Sequence, residues 1–245
     1  MRKTKTRLDT LLVDRGLVGS RERARALILA GQVTVKGQVM SKAGAPVDAD
    51  ADVALLVPDH PYVGRGGIKL AHALDAFGIR VHRRRALDVG ASTGGFTDVM
   101  LQRGARDVIA LDVGHGQLDW KLRNDPRVIV REGINARALT AGDVPHAVDL
   151  VTIDVAFISL RHILPALPPF LALTVDIVAL VKPQFEAGRH EVGNGGLVTS
   201  ARVHERVIAE VTDAAAGVGL VRVNATASPI TGATGNHEFF LHLTL

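Results

Sequence analysis

The feature that most constrains the fold is a series of short, predominantly apolar runs that begins at Ala86 and alternates with stretches of helical character. Apolar runs of this length between helices are typical of strands that are buried on both faces of a mostly parallel sheet. The sequence therefore predicts an α/β fold whose ligands bind in the crevice beyond the carboxyl ends of the strands. The runs cover residues 86–89, 108–111, 128–130, 150–153 and 177–181.

A glycine-rich loop, residues 90–96, follows the first run and opens a predicted helix. Its glycines would allow the backbone to approach a ligand closely. Asp112 ends the second run, where a carboxylate can accept hydrogen bonds from both hydroxyls of a ribose. NAD and S-adenosylmethionine both carry such a ribose. The loop and Asp112 thus predict a nucleoside-type cofactor without choosing between the two.

Two further strand ends carry opposite charges. Asp154 follows the fourth run and Lys182 follows the fifth, so both side chains should open into the crevice that holds the cofactor. Each residue alone is equally compatible with an ordinary strand end. Together, beside a cofactor loop, they favour a catalytic site.

The sequence contains no cysteine, which excludes disulfides, thiolate zinc sites and thiolate nucleophiles. If the cofactor is S-adenosylmethionine, two types of methyltransferase can be excluded. A pyrimidine carbon-5 methyltransferase needs a thiolate nucleophile. Amino-group methyltransferases typically carry two prolines that residues 154–157 lack. Oxygen methylation remains, with a lysine that deprotonates or orients a ribose hydroxyl. A lysine base requires a lowered pKa, and Lys69, near the start of a predicted helix over 68–77, is the candidate for a second cation that lowers it. We assign no metal ligands.

The first 58 residues predict a separate small α+β domain. Two short amphipathic helices fit between Arg7 and Ala30. Alternating apolar residues then predict a hairpin over 33–39, with the stretch 53–57 as a strand that pairs with it. The Pro- and Gly-rich segment 59–67 predicts a linker, so that the second domain would run over 68–245.

The second helix of this front domain is predicted to carry a basic face. Ser20 is placed to cap the helix, and Arg21, Arg23 and Arg25 would lie on its exposed side. Guanidinium groups match phosphate oxygens, and the net charge of +4 weakly favours a polyanionic partner. On charge alone, a nucleic-acid contact and a plain solvated surface remain equally compatible with this face.

The front domain resembles a small RNA-binding module found in one small-subunit ribosomal protein and in pseudouridine synthases, the αL type. The resemblance covers residues 7–57 and is carried by Arg7-Leu8-Asp9, Ser20-Arg21, Ala24 and the string 28–37. It implies that this domain binds RNA. The contacts that we assign are Arg7, Arg21, Arg23, Arg25, Lys36 and, in the linker, Arg65.

The second domain resembles the FtsJ-type ribose 2′-O-methyltransferases, because Lys69, Asp154, Lys182 and Glu238 match their lysine-aspartate-lysine-glutamate tetrad. The strings 64–70, 88–97, 112–118 and 181–186 are similar to the TlyA family of haemolysin-A-like rRNA cytidine 2′-O-methyltransferases, and the similarity spans essentially the whole chain.

This resemblance implies a Rossmann-like, seven-stranded methyltransferase domain that uses S-adenosylmethionine to methylate cytidine in 16S and 23S rRNA. It implies Lys182 as the principal base, supported by the other three members of the tetrad. It places the methionine moiety near Gly90 and Ser92, the ribose on Asp112 and the adenine near Asn135. We also assign Ala91, Gly94, Phe96, Val113 and Asp154 to the cofactor site.

Location and alternative functions follow from what the sequence lacks. No apolar stretch is long enough to span a membrane, and the basic N-terminus does not lead into an apolar stretch as a secretory signal does, so we expect a cytoplasmic protein without a membrane partner. A pore-forming haemolysin would need membrane segments, and a dehydrogenase would leave the two lysines without a role. The tetrad argues against an RNA-binding factor without turnover. The Gly-rich stretch 187–196 predicts either a mobile lid or a long loop.

Overall fold

The computed structural model describes residues 5–56 and 59–245. The chain divides into two compact units, Met1–Pro61 and Tyr62–Leu245. The basic N-terminus of the sequence and Val57, at the end of a predicted strand, lie outside the described residues. The limits 59–67 for the linker stay a prediction.

The first unit combines two helices with short antiparallel strands. The helices are α1 (Leu8–Asp14) and α2 (Arg21–Leu29). Strand β1 (Lys5–Arg7) pairs with β4 (Pro46–Asp48). A second sheet has the order β3-β2-β5, from β2 (Val33–Val35), β3 (Gln38–Val39) and β5 (Val53–Leu55). The predicted helices, hairpin and additional strand are therefore confirmed for the described residues.

Local sequence signals set the ends of these helices. The Ser20 hydroxyl accepts a hydrogen bond from the Arg23 N–H at 3.2 Å, which satisfies a free donor at the start of α2. Gly16 and Gly31 adopt φ values of 66°, the left-handed conformation that commonly follows a helix. The apolar face that results is buried and consists of Leu8, Leu11, Leu12, Ala24, Leu27 and Ile28.

The second unit contains, within the described residues, a seven-stranded sheet of order β11-β12-β10-β9-β6-β7-β8. Strands β6 to β10 run parallel to one another, and β12 is antiparallel to both β10 and β11. The predicted α/β class is confirmed. The strands are β6 (Arg85–Val89), β7 (Asp107–Asp112), β8 (Val128–Glu132), β9 (Val148–Ile153), β10 (Leu171–Val181), β11 (Val221–Ala227) and β12 (Phe239–Thr244).

Helices cover both faces of this sheet. They are α3 (Gly66–Phe77), α4 (Gly95–Gln102), α5 (Trp120–Arg123), α6 (Pro183–Glu186) and α7 (Ala201–Ala216). Alternate strand residues point to opposite faces: Leu87 packs in one core with Val207 and Val211 of α7, whereas Ala86 packs in the other with Leu70 and Met100. Within the described residues, no helix is long and apolar enough to cross a membrane.

Strand register brings the polar strand-end residues to one edge of the sheet. Val89 pairs with Ile153, so Gly90 and Asp154 follow side by side. Val181 pairs with Phe239 across the antiparallel β10–β12 ladder, so Lys182 leaves its strand where β12 begins. The antiparallel β12 therefore contributes its first residues to the edge where the parallel strands end.

Candidate active site

The glycine loop brings the ends of two strands into contact. Gly90 has a φ of 86°, and a Cβ atom at this position would lie 2.4 Å from the Asp154 carbonyl oxygen. The Asp154 N–H donates a hydrogen bond to the Val89 carbonyl at 2.9 Å, which fixes the same approach. Any side chain at position 90 would force these strand ends apart, so glycine is required for both conformation and space.

A cavity of about 430 Å³ opens beside this loop. Its walls are largely apolar, with contributions from Leu111, Ile134, Val155 and Ile163. Several residues that the sequence assigned to a cofactor line it: Gly90, Ser92, Asp112, Val113, Asn135 and Asp154. The size and lining are those of a site for a small organic ligand.

Asp112 is held in a fixed orientation at the wall of this cavity. Its Oδ2 atom accepts a hydrogen bond from the Ser92 N–H at 2.8 Å, and its Oδ1 atom accepts one from the Gly114 N–H at 2.7 Å. Each carboxylate oxygen can accept a further hydrogen bond. The half-buried carboxylate is therefore oriented by the backbone and retains the capacity to bind a pair of hydroxyls.

Asn135 presents one side of its amide to the same cavity. Its Oδ1 atom accepts hydrogen bonds from the Arg137 backbone N–H at 3.1 Å and from Arg137 Nε at 3.2 Å. The carbonyl oxygen of the amide is thus engaged by Arg137, whereas Nδ2 has no acceptor within the described part of the chain and can donate to a ligand.

A second cavity of about 240 Å³ is also lined by residues of the glycine loop. Ala91, Phe96, Asp154 and Lys182 are among its lining residues. Gly94 borders neither this cavity nor the larger one, and a Cβ atom there would lie 2.2 Å from Leu122 Cδ1. Its contribution in the structure is close packing of the loop, while its assignment to the cofactor stays a prediction.

The four tetrad residues form two ion pairs. Lys182 Nζ lies 2.5 Å from Asp154 Oδ1, and Lys69 Nζ lies 2.5 Å from Glu238 Oε2. The second pair is the more deeply buried, with Glu238 only 3% exposed. The sequence predicted Lys69 as a cation acting on Lys182, whereas the structure gives each lysine its own carboxylate. Of the two lysines, Lys182 is the one that borders the smaller cavity.

A buried carboxylate, which sequence reasoning missed, lies beneath the loop. Asp88 is fully buried in β6 and accepts hydrogen bonds from the Thr97 hydroxyl at 2.6 Å and the Thr152 hydroxyl at 2.9 Å. Burial, with a smaller contribution from the negative charge of Asp154, raises the pKa of Asp88 to about 6. An acidic residue inside an otherwise apolar run was the available signal.

Phe157 is a second residue that sequence reasoning missed. It lines the larger cavity, yet the residue is 91% exposed and its φ is 65°, an unfavourable value for a residue with a side chain. Its ring centroid lies 5.2 Å from that of Phe185, and the Phe185 ring lies 6.0 Å from Lys182 Nζ. An exposed aromatic surface therefore adjoins the lysine.

The Gly-rich stretch after Lys182 is fastened by one buried side chain. Asn236 is 1% exposed; its Oδ1 accepts from the Val198 N–H at 2.9 Å, and its Nδ2 donates to the Gly196 carbonyl at 2.8 Å. Nδ2 also donates to the Thr234 hydroxyl at 3.0 Å. The stretch is thus joined to the segment that leads into Glu238. Whether it opens as a lid stays a prediction.

The arginines assigned to RNA differ in how they are held. Arg7 and Arg21 both contact the Asp9 carboxylate. Arg23 donates to Asp59 Oδ1 at 2.7 Å and to the His60 carbonyl at 3.2 Å. Arg25 is exposed on the same helix, and we find no hydrogen bond or ion pair for its side chain in the described part of the chain.

Two further assigned residues occupy loops. Lys36 follows β2 with a φ of 51°, and its Nζ lies 3.6 Å from Asp48 Oδ2. Arg65 precedes α3, and its Nη2 donates to the Thr231 carbonyl at 3.2 Å. The RNA contacts assigned to both residues stay predictions.

The sheet order, the glycine loop and the oriented Asp112 together define the class of Rossmann-like methyltransferases. Comparison with known proteins is consistent with this class. A family described as FtsJ-like methyltransferase matches residues 62–245, and a family described as S4 domain matches residues 6–53.

Relatives match over nearly the full chain. The 16S/23S rRNA (cytidine-2′-O)-methyltransferase TlyA of Mycobacterium tuberculosis is 48% identical, over 98% of this chain and 90% of its own. Hemolysin A of Brachyspira hyodysenteriae is 42% identical, over 98% of this chain and all of its own. A Streptococcus thermophilus structure that carries the name hemolysin has a TM-score of 0.77 and 44% identity, over 98% of this chain and 88% of its own.

The chain belongs to the FtsJ-like methyltransferase family and, within it, to the TlyA proteins. An S4 domain precedes the methyltransferase domain in the sequence. The two resemblances inferred from the sequence are confirmed.

Proposed function

We propose that this protein transfers a methyl group from S-adenosylmethionine to the ribose 2′-hydroxyl of a cytidine in 16S rRNA, 23S rRNA or both. The observation that carries the proposal is the Lys182–Asp154 ion pair at the smaller cavity, beside the glycine loop. The M. tuberculosis relative bears this activity in its name.

The residues around the larger cavity fit S-adenosylmethionine. The oriented Asp112 carboxylate suits the two ribose hydroxyls, and the apolar wall that includes Val113 and Ile134 suits an adenine ring. Gly90 lines both cavities, and because glycine has no side chain it leaves space for a ligand that extends from one to the other. When bound, the cofactor supplies an electrophilic methyl group for in-line attack by an oxygen.

Lys182 is the group that we assign to the substrate hydroxyl. In its neutral form, Nζ accepts the proton that leaves the 2′-oxygen, and it then carries that proton as an ammonium group. Asp154 holds the lysine in position and stabilises the ammonium form that results. The Lys69–Glu238 pair supports the same edge of the sheet, because Glu238 directly precedes β12, which pairs with the strand that Lys182 follows.

The exposed ring of Phe157 provides a surface for the target nucleotide. Single-stranded RNA is commonly held by bases that stack on aromatic side chains. A base on Phe157 would keep its nucleotide near Lys182, because the Phe185 ring centroid lies 5.2 Å from that of Phe157 and 6.0 Å from Lys182 Nζ.

Methylation mapping tests the proposal. Ribosomal subunits that lack the modification are incubated with the protein and S-adenosylmethionine, and their rRNA is analysed by mass spectrometry for 2′-O-methylcytidine. Lys182→Ala should lower the rate of transfer by about a hundredfold or more, because no group remains to accept the proton. Its affinity for S-adenosylmethionine, measured by calorimetry, should change little.

Lys121→Ala is the matched control, since this lysine is exposed on α5 and borders neither cavity. Undiminished transfer by Lys182→Ala would refute its role as the base. A methyl group found on a base instead of a ribose would refute the proposed reaction.

A further inference from the structure

A buried carboxylate lies beneath two arginines of the first unit. The Asp9 side chain is 0% exposed, whereas those of Arg7 and Arg21 are 54% and 56% exposed. Arg7 donates from Nε to Asp9 Oδ1 at 3.0 Å and from Nη2 to Asp9 Oδ2 at 2.7 Å. Arg21 donates from Nη2 to the same Oδ2 atom at 3.4 Å. Both guanidinium groups therefore converge on one oxygen.

The Asp9 carboxylate faces protein donors rather than solvent. Its Oδ1 atom also accepts hydrogen bonds from the Thr10 N–H at 2.9 Å and the Thr10 hydroxyl at 3.4 Å. The hydrogen bonds from Arg7 hold the pKa of Asp9 well below its ordinary range. The carboxylate is therefore ionised but buried, and of the three charged groups only the two cations reach the surface. Their sum is one positive charge.

The contact with Asp9 uses only part of the Arg7 guanidinium. This group has five N–H donors, and among the contacts of the described residues those on Nη1 have no acceptor. Gly44 lies beside the free part: a Cβ atom at position 44 would be 3.0 Å from Nη1 and 3.1 Å from Nη2. A side chain at position 44 would therefore crowd the Arg7 guanidinium, whereas the glycine lets this group keep its orientation.

We propose that Asp9 and Gly44 make Arg7 and Arg21 into a preformed fork that binds one phosphate group of the RNA backbone. The inference rests on the proposed rRNA substrate and names how the first unit would hold it. Guanidinium groups that are already oriented lose less conformational entropy on binding than free side chains do. Asp9 is a positioning residue, since it acts on RNA only through the arginines.

The effect of Asp9→Asn on RNA affinity distinguishes an orienting role of Asp9 from a purely electrostatic one. The substitution removes a negative charge, so simple electrostatics predicts tighter RNA binding. Loss of the orienting carboxylate predicts weaker binding instead, by about fivefold. The full-length protein is titrated with in vitro transcribed 16S and 23S rRNA over a range of salt concentrations, and thermal melting is measured alongside. In an Arg7→Ala, Arg21→Ala background, Asp9→Asn should cause no further loss.

Gly44→Ala is a second test that leaves every charge in place. The added methyl group would displace the Arg7 guanidinium, so affinity should again fall several-fold while the salt dependence changes little. This variant decides the matter if Asp9→Asn fails to fold. Arg15→Ala is the control, because Arg15 lies at the other end of α1 and donates to the Ala49 and Ala51 carbonyls.

Unchanged or tighter binding by folded Asp9→Asn, or by Gly44→Ala, would overturn the fork. So would a loss in Arg15→Ala as large as that in Arg7→Ala, because the effect would then be one of total charge. Binding is measured without S-adenosylmethionine and does not depend on methyl transfer. A protein that bound RNA through the fork but methylated no ribose would refute the proposed function and leave the fork intact.

Discussion

The two units use the same elements, cations beside carboxylates, in opposite arrangements. In the methyltransferase unit, Lys69 and Lys182 each have one carboxylate partner and are mostly shielded from solvent. In the S4 unit, one buried carboxylate serves two arginines that remain more than half exposed. Buried one-to-one pairs suit local proton chemistry, because the low dielectric strengthens each contact. Exposed arginines suit a polyanion, which approaches from solvent and accepts several donors.

The largest expected difference concerns the buried pair that borders neither cavity. Lys69→Met removes the only cation paired with Glu238 among the described contacts and leaves an almost fully buried carboxylate without it. We expect a loss of about 3–5 kcal/mol in the free energy of unfolding, measured with chemical denaturant. Arg206→Met is the control: this more exposed arginine pairs with Glu191 and Glu210, and its loss should cost less than about 1 kcal/mol. Equal losses would remove the distinction between buried and exposed pairs.

Asp88 provides a test of burial through pH. Its pKa is raised from 3.8 to about 6 in the folded protein, so the unfolded chain ionises first as the pH rises. The contribution of Asp88 to folding stability should therefore fall between about pH 4 and pH 6, by about 3 kcal/mol, and level off above that range. Asp88→Asn keeps a hydrogen-bonding side chain but cannot ionise. The difference in unfolding free energy between the two proteins should show this pH dependence; a constant difference would contradict it.

Phe157 tests the comparison between the two units from another side, because it is an exposed residue in the methyltransferase unit, whose ion pairs are buried. Phe157→Gly should stabilise the fold by about 1 kcal/mol, since glycine tolerates the positive φ. The same substitution should weaken rRNA binding by about 1–3 kcal/mol, the usual contribution of one stacked base. Phe157→Ala separates the two effects, because it removes the ring and keeps the strain. Unchanged KM for rRNA in both variants would exclude a stacking role.

The smallest effects should separate two arginines on one helix. Arg25→Ala should reduce the slope of log affinity against log salt by about one, with no change in the melting temperature, because this side chain is free for a phosphate. Arg23→Ala should lower the melting temperature instead, since Arg23 is engaged with Asp59 and the His60 carbonyl. If Arg23→Ala reduced the salt slope and left the melting temperature unchanged, Arg23 would have to exchange its contacts with Asp59 and His60 for a phosphate when RNA binds.

Strand positions and helix ends were predictable from the sequence, because they depend on neighbouring residues. The apolar runs identified the parallel strands, and Ser20 marked the start of α2. The positions of Gly90, Asp112, Asp154 and Lys182 at one edge of the sheet followed from the rule that the carboxyl ends of parallel strands lie at the same edge. The family resemblance then added Glu238 and the substrate.

The pairing of those residues was not predictable in the same way. Lys69 and Glu238 are separated by 169 positions, and only the insertion of β12 next to β10 brings them together. Asp9 likewise contacts Arg21, and Arg7 lies beside Gly44, although these partners are distant in sequence. The backbone strain at Phe157 leaves no mark in composition or periodicity, since any residue type can be forced into it.

The sheet order also has a consequence for synthesis on the ribosome. Strand β12 lies between β10 and β11, although it is made after both. Until Phe239–Thr244 is synthesised, β10 and β11 each have an unpaired edge. The Lys69 side chain also lacks its partner Glu238, which directly precedes β12. The joining of β10 to β11 and the completion of the tetrad therefore both wait for this last strand of the sheet. A nascent chain halted before this strand would expose open strand edges, the feature that promotes aggregation.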